Sequence, residues 1–191
     1  MILHEQSNVY SDPSALRNAA LALTYYNRED HPETKDDLSW ASPTAYRGSA
    51  KITASSGPIK GAIDTLVSIV TGQGITITNT VAYCQYYKQS ETEPGVHRDL
   101  STGFEPDFQP TYGAVLWISP HSNKFEFFMD EEVGDIMMEK DMAENEMILF
   151  DHNFAHRVKP ASFGTDQSDS GLMLAVFMNW YKYFYYEHIK S

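Results

Sequence analysis

From Ile75 onward the apolar and aromatic residues of this chain recur at every second position, and that period constrains the fold more than any other feature. Ile75, Ile77 and Asn79 alternate with Thr76, Thr78 and Thr80, and the run Val81-Ala82-Tyr83-Cys84-Gln85-Tyr86-Tyr87 follows. β-branched and aromatic residues of this kind suit a pleated, half-buried surface. Tyr112 to Ser119 reads as a buried strand, and Pro120 to Asn123 as a turn. Lys124 to Met129 reads as a strand with one aromatic side, followed by a short strand around Ile136-Met137-Met138, a strand over Glu146 to Asp151, and a closing strand over Leu172 to Tyr181. The aromatic tail from Lys182 to His188 reads as extended or helical.

The first part of the chain has a different period. Asp12 is placed to cap a helix that Pro13 opens, and Leu16, Ala19, Ala20 and Leu23 follow at helical spacing. Pro32, Pro43, Gly48 and Gly57 then break the pattern, so Asn27 to Gly57 reads as a long loop or short irregular strands holding Trp40, Tyr46 and Arg47. A second helix starts at Pro58, carries Ile59, Ile63, Leu66, Val67 and Val70 on one face, and ends at Gly72 or Gly74. Two helices followed by seven or eight strands give an α+β layout, in which the helices brace one sheet of a β-sandwich or jelly roll. We expect one domain over residues 1–191.

Charge and cysteine usage narrow the partners. The net charge is −12, and Arg17, Arg28, Arg47, Arg98 and Arg157 are all the arginines. Binding to nucleic acid or to an anionic membrane is dominated by neutralising phosphates, so neither is expected. One cysteine, Cys84, permits no internal disulfide and fits a reducing compartment. The first residues lack a basic segment followed by an apolar core, and no apolar run approaches membrane-span length. The expectation is a cytoplasmic protein.

Three residues carry candidate chemistry. His97 and Asp99 stand two apart, which in a strand turns both side chains to one side. His156 follows 57 positions after Asp99 (156 − 99), enough chain for several strands and a return to the same mouth. Two neutral imidazoles and one carboxylate can occupy one face of a six-coordinate Fe(II) and leave three positions open. His97, Asp99 and His156 are therefore expected to converge on one metal. His121 in a turn, His152 on a loop and His188 in the tail are not expected to join them. Tyr83, Gln85 and Tyr87 share one strand face just upstream, suited to a polar pocket wall. Met129, Met137, Met138, Met142 and Met147 read as packing.

The order Gln85-Tyr86-Tyr87, His97-Arg98-Asp99, Trp117-Ile118, Met147 to Asp151 and His156-Arg157-Val158 resembles the Fe(II)/2-oxoglutarate-dependent dioxygenases, and within them the prolyl-hydroxylase-like branch. The resemblance runs from about Ile75 to Tyr181, and the Val9 to Pro13 opening also resembles small members of that superfamily. It implies a double-stranded β-helix, the jelly roll already inferred. It also implies His97, Asp99 and His156 as iron ligands, Tyr87 on the pocket wall beside 2-oxoglutarate, and a small-molecule or peptide substrate. One position departs from the family. The basic residue that usually follows the distal His by about ten positions falls near Asp166, and Leu172 to Trp180 contains no Lys or Arg. A buried far carboxylate needs a cation, usually an Arg fork. Arg47 is the first candidate and Arg157 the second, with Lys159, Lys88 and Arg98 behind them. Tyr87 would add a hydroxyl from the opposite wall.

The alternatives are a jelly-roll metal-binding protein without 2-oxoglutarate turnover and a hydrolytic zinc site built from the same ligands.

Overall fold

The computed structural model describes residues 2–32, 41, 42, 44–88, 95–98, 108, 109, 112–129, 135–151, 154–159, 163–179, 181 and 182. In chain order the elements are β1 (Ile2–Ser7), α1 (Pro13–Leu21), β2 (Arg47–Lys51), α2 (Pro58–Gly72), β3 (Thr80–Tyr87), β4 (Phe108–Gln109), β5 (Tyr112–Trp117), β6 (Asn123–Phe128), β7 (Ile136–Met142), β8 (Glu146–Asp151), β9 (Ala155–Lys159), β10 (Gly171–Met178) and β11 (Tyr181–Lys182).

Both helices form where local chemistry starts and stops them. Asp12 accepts a hydrogen bond from the Ala15 amide at 2.9 Å, and Pro13 supplies a pre-set φ in the first turn. α2 ends where Gly74 takes a positive φ of 82°, a conformation that costs glycine little. Leu16 and Ala20 of α1 are buried with Ile59, Ile63, Leu66 and Val70 of α2, so the helical stripes are packing faces. They cover one side of a six-stranded antiparallel sheet of order β1-β8-β5-β10-β3-β2.

Alternation along the strands divides the interior into two layers. Ala82, Cys84, Tyr86, Leu116, Leu149, Leu174 and Val176 face the helices. Tyr83, Tyr87, Val115, Trp117, Phe150, Met173, Ala175 and Phe177 belong to a second cluster with Phe125, Phe127 and Val158 of a three-stranded sheet of order β7-β6-β9. β10 lies between β5 and β3 and is buried along its whole length, which is why its sequence is an unbroken apolar run. The two facing antiparallel sheets make a double-stranded β-helix, a jelly roll with its helices outside the larger sheet.

Several elements differ from the sequence reading. Residues 75–79 lie outside the strand, which begins at Thr80, although Ile75 and Ile77 still pack against the helical layer. β1 has mostly exposed residues and little alternation, and it forms because β8 offers its edge. Arg47–Lys51 is a regular strand of the large sheet, paired to β3 from Arg47↔Tyr87 to Lys51↔Tyr83. Met142 and Met147 are buried, whereas Met129 and Met137 are exposed and do not serve as packing. The tail 183–191 lies outside the described residues. Among the described residues no helix is long and apolar enough to cross a membrane.

Candidate metal centre

His156 is on β9, the strand that lines the inside of the smaller sheet, and not on a loop. β9 alternates about its axis: His156 and Val158 are buried, while Arg157 and Lys159 are partly exposed. His97 lies in a short segment that meets β9 as an isolated antiparallel bridge. The His97 amide donates to the His156 carbonyl at 3.1 Å and the His156 amide donates to the His97 carbonyl at 2.8 Å. Residues paired in this way project their side chains to the same face. The two imidazole centroids are accordingly 4.8 Å apart.

Each ring is oriented by a backbone carbonyl two residues upstream. His97 Nδ1 is 3.1 Å from the Gly95 carbonyl oxygen, and His156 Nδ1 is 2.9 Å from that of Phe154. A carbonyl only accepts, so Nδ1 is the donor in each contact, and the neutral tautomer with that arrangement leaves its lone pair on Nε2. Metal-binding histidines are oriented in this manner. Phe125 stacks on the His156 ring at 5.4 Å with planes 18° apart, and Phe150 meets it edge-on at 4.9 Å. The ring is thus fixed by packing as well.

Asp99, the third expected ligand, lies outside the described residues, as do His152 and His188. Among the described residues no group of three or more metal-binding side chains occurs. His121 Nε2 is 2.6 Å from Asp169 Oδ1, a surface pair separate from the cavity beside His97.

That cavity encloses about 400 Å³ of space between atoms, counting the solvent at its open mouth. His97 and His156 line it together with Arg47, Gln85 and Tyr87, and Phe125, Phe150, Val158, Met173, Ala175 and Phe177 supply much of its apolar wall. Among the described lining residues Arg47 is the only Lys or Arg. Its Nε is buried without a hydrogen-bond partner among the described residues, and its guanidinium carbon sits 5.7 Å from the centre of the Tyr87 ring. Arg47 and Tyr87 are direct cross-strand partners, so they share a wall and do not face each other across the cavity.

Arg157, the second candidate for a carboxylate, is turned away. Its Nε donates to Glu126 Oε2 at 2.5 Å, and its guanidinium carbon lies 5.2 Å from the centre of the Phe128 ring. Lys159 Nζ is 3.3 Å from the other oxygen of the same fully buried carboxylate. Neither lines the cavity, because strand alternation sends 157 and 159 to the face opposite His156. β10 was legible in the sequence as an apolar closing strand, but its sharing one cavity with Arg47 was not. Nothing local predicts that β2 docks on the outer edge of β3.

No family model matches the chain, and no curated protein matches it. Solved structures match its fold. A prolyl-4-hydroxylase from Pseudomonas putida superposes with a TM-score of 0.55 at 14% identity, covering 92% of this chain and 91% of that one. HygX from Streptomyces hygroscopicus, crystallised with nickel and 2-oxoglutarate bound, superposes with a TM-score of 0.55 at 8% identity, covering 94% and 82%. The fold shared with these two structures is thus the double-stranded β-helix.

Proposed function

We propose that the protein is a non-haem Fe(II)- and 2-oxoglutarate-dependent oxygenase that hydroxylates a small molecule or a protein side chain. The observation that carries the reading is the His97–His156 pair, with both Nδ1 atoms held by backbone carbonyls at the wall of a cavity that contains Arg47. His97 and His156 fit a divalent metal through Nε2, and Asp99 would complete the set. The chemistry such a centre supplies is activation of dioxygen coupled to decarboxylation of 2-oxoglutarate.

The remaining roles belong to this chain's own residues. Arg47 receives the far carboxylate of 2-oxoglutarate, which satisfies a buried Nε that has no acceptor among the described residues. Tyr87 flanks that carboxylate from the same wall. Phe125, Phe150, Val158 and Phe177 keep water from the reacting end. The net charge of −12 does not suit nucleic acid or an anionic membrane, and the free Cys84 fits the reducing cytoplasm.

A metal-binding jelly roll without 2-oxoglutarate turnover is favoured by one feature. The cavity-lining residues of β10 are Met173, Ala175 and Phe177, with no cation. Anaerobic titration of Fe(II)-loaded protein with 2-oxoglutarate separates the two. The oxygenase gives the visible charge-transfer band of the chelate, and iron binding with no band at saturating 2-oxoglutarate overturns the proposal.

A further inference from the structure

Gln85 stands where packing alone would place an apolar residue. It is the one inward position of β3 between Tyr83 and Tyr87, in the cross-sheet row Ser49–Gln85–Met173–Trp117. A half-buried carboxamide in such a row gives up part of its water and gains by hydrogen bonding to its neighbours. Gln85 recovers two long ones: Nε2 to Ser49 Oγ at 3.4 Å, and Oε1 from the Tyr87 hydroxyl at 3.5 Å. Both exceed the usual range of about 2.7–3.2 Å, so they contribute little to stability. Their geometry is more informative than their strength. They tie the hydroxyl end of Tyr87 to β2 at Ser49, two residues beyond Arg47 on the same strand face.

The Arg47 Nε is buried with no acceptor among the described residues. What the guanidinium does touch is the Tyr87 ring, 5.7 Å from its centre. We infer that Gln85 is a positioning residue for the cavity's cation, setting the tilt of the Tyr87 ring and through it the direction in which Arg47 presents its donors. The inference rests on the reading that Arg47 receives a carboxylate in this cavity. Such a role accounts for a polar residue with poor bonds on an interior wall, since a stacked cation is aimed by the plane beneath it.

The test reads Arg47 itself. In ¹⁵N-labelled protein at pH 6, the Arg47 Nε–H resonance is assigned by its loss in Arg47→Lys. Gln85→Leu is expected to shift that resonance and lower its heteronuclear NOE, and Gln85→Met provides a second apolar variant should the first fold poorly. In Ni(II)-loaded protein, calorimetry is expected to show 2-oxoglutarate bound about three- to tenfold more weakly by Gln85→Leu, with Ni(II) affinity unchanged. Tyr87→Phe should give a similar loss, and the double variant no more than either single one, because both act through the same ring. An unmoved Arg47 resonance in both apolar variants, or losses that multiply in the double variant, overturns the inference. If wild-type protein binds no 2-oxoglutarate, the co-substrate assignment fails, and the Arg47 resonance still decides whether Gln85 positions the cation.

Discussion

His97 and His156 exchange both of their backbone hydrogen bonds, at 3.1 and 2.8 Å, and their rings stand 4.8 Å apart on one face. The bridge joins two segments nearly sixty residues apart and makes the spacing of the two imidazoles a property of the sheet backbone. Each ring is then fixed by a carbonyl of its own segment.

The metal prediction follows from this pairing. His97→Ala or His156→Ala should lower Co(II) or Ni(II) affinity at least tenfold, measured by equilibrium dialysis at pH 7.5. His156→Ala should also destabilise the fold, by about 1–3 kcal/mol in urea unfolding, because the ring it removes is packed between Phe125 and Phe150. Unchanged metal affinity in both variants would count against the centre.

Arg47 and Arg157 should separate binding from stability. Arg47→Ala is expected to weaken 2-oxoglutarate binding by about 2 kcal/mol or more, roughly thirtyfold, with metal affinity intact. Arg157→Ala should leave that affinity alone. It should instead cost roughly 3 kcal/mol of stability, because the fully buried Glu126 would lose its 2.5 Å partner and keep Lys159 at 3.3 Å. Calorimetry and urea unfolding of the same two variants check both halves.

Alkaline instability is expected from the core. Burial pushes the Cys84 thiol up to about 12, from an ordinary 9.0, and burial likewise raises Tyr25, which lies against it. The unfolded chain ionises these groups while the folded chain keeps them protonated. Their contribution is complete below the unfolded values and is lost as pH rises from about 9 toward the folded ones. Unfolding free energy should therefore fall above pH 9, and Cys84→Ala should reduce that slope although it leaves a small cavity. The native thiol should also resist iodoacetamide at pH 8.5.

Gly48 is held by contact. A Cβ there would lie 2.3 Å from Tyr86 Cε1 in the helix-facing layer. Gly48→Ala should destabilise by about 1–3 kcal/mol in thermal unfolding, and Gly72→Ala, where a Cβ meets open space, should not.

What was legible in the sequence had local causes. The cap at Asp12, the stripe of α2, the span of β8 and the unbroken run of β10 were readable because each depends on residues a few positions apart, or on burial of a whole element. The inward set of Tyr83, Gln85 and Tyr87 followed from the period of two. The tertiary structure decided the rest. β1 exists because β8 needed an edge partner, although its own residues are mostly exposed. Arg157 adjoins His156 in sequence but faces a buried carboxylate, since alternation puts neighbours on opposite faces. Arg47 was distant, in a segment broken by proline and glycine, and reached the cavity because β2 pairs with β3 at Tyr87. Pairing across fifty positions or more depends on which edges remain open once the sheet has formed, and no local pattern carries that information.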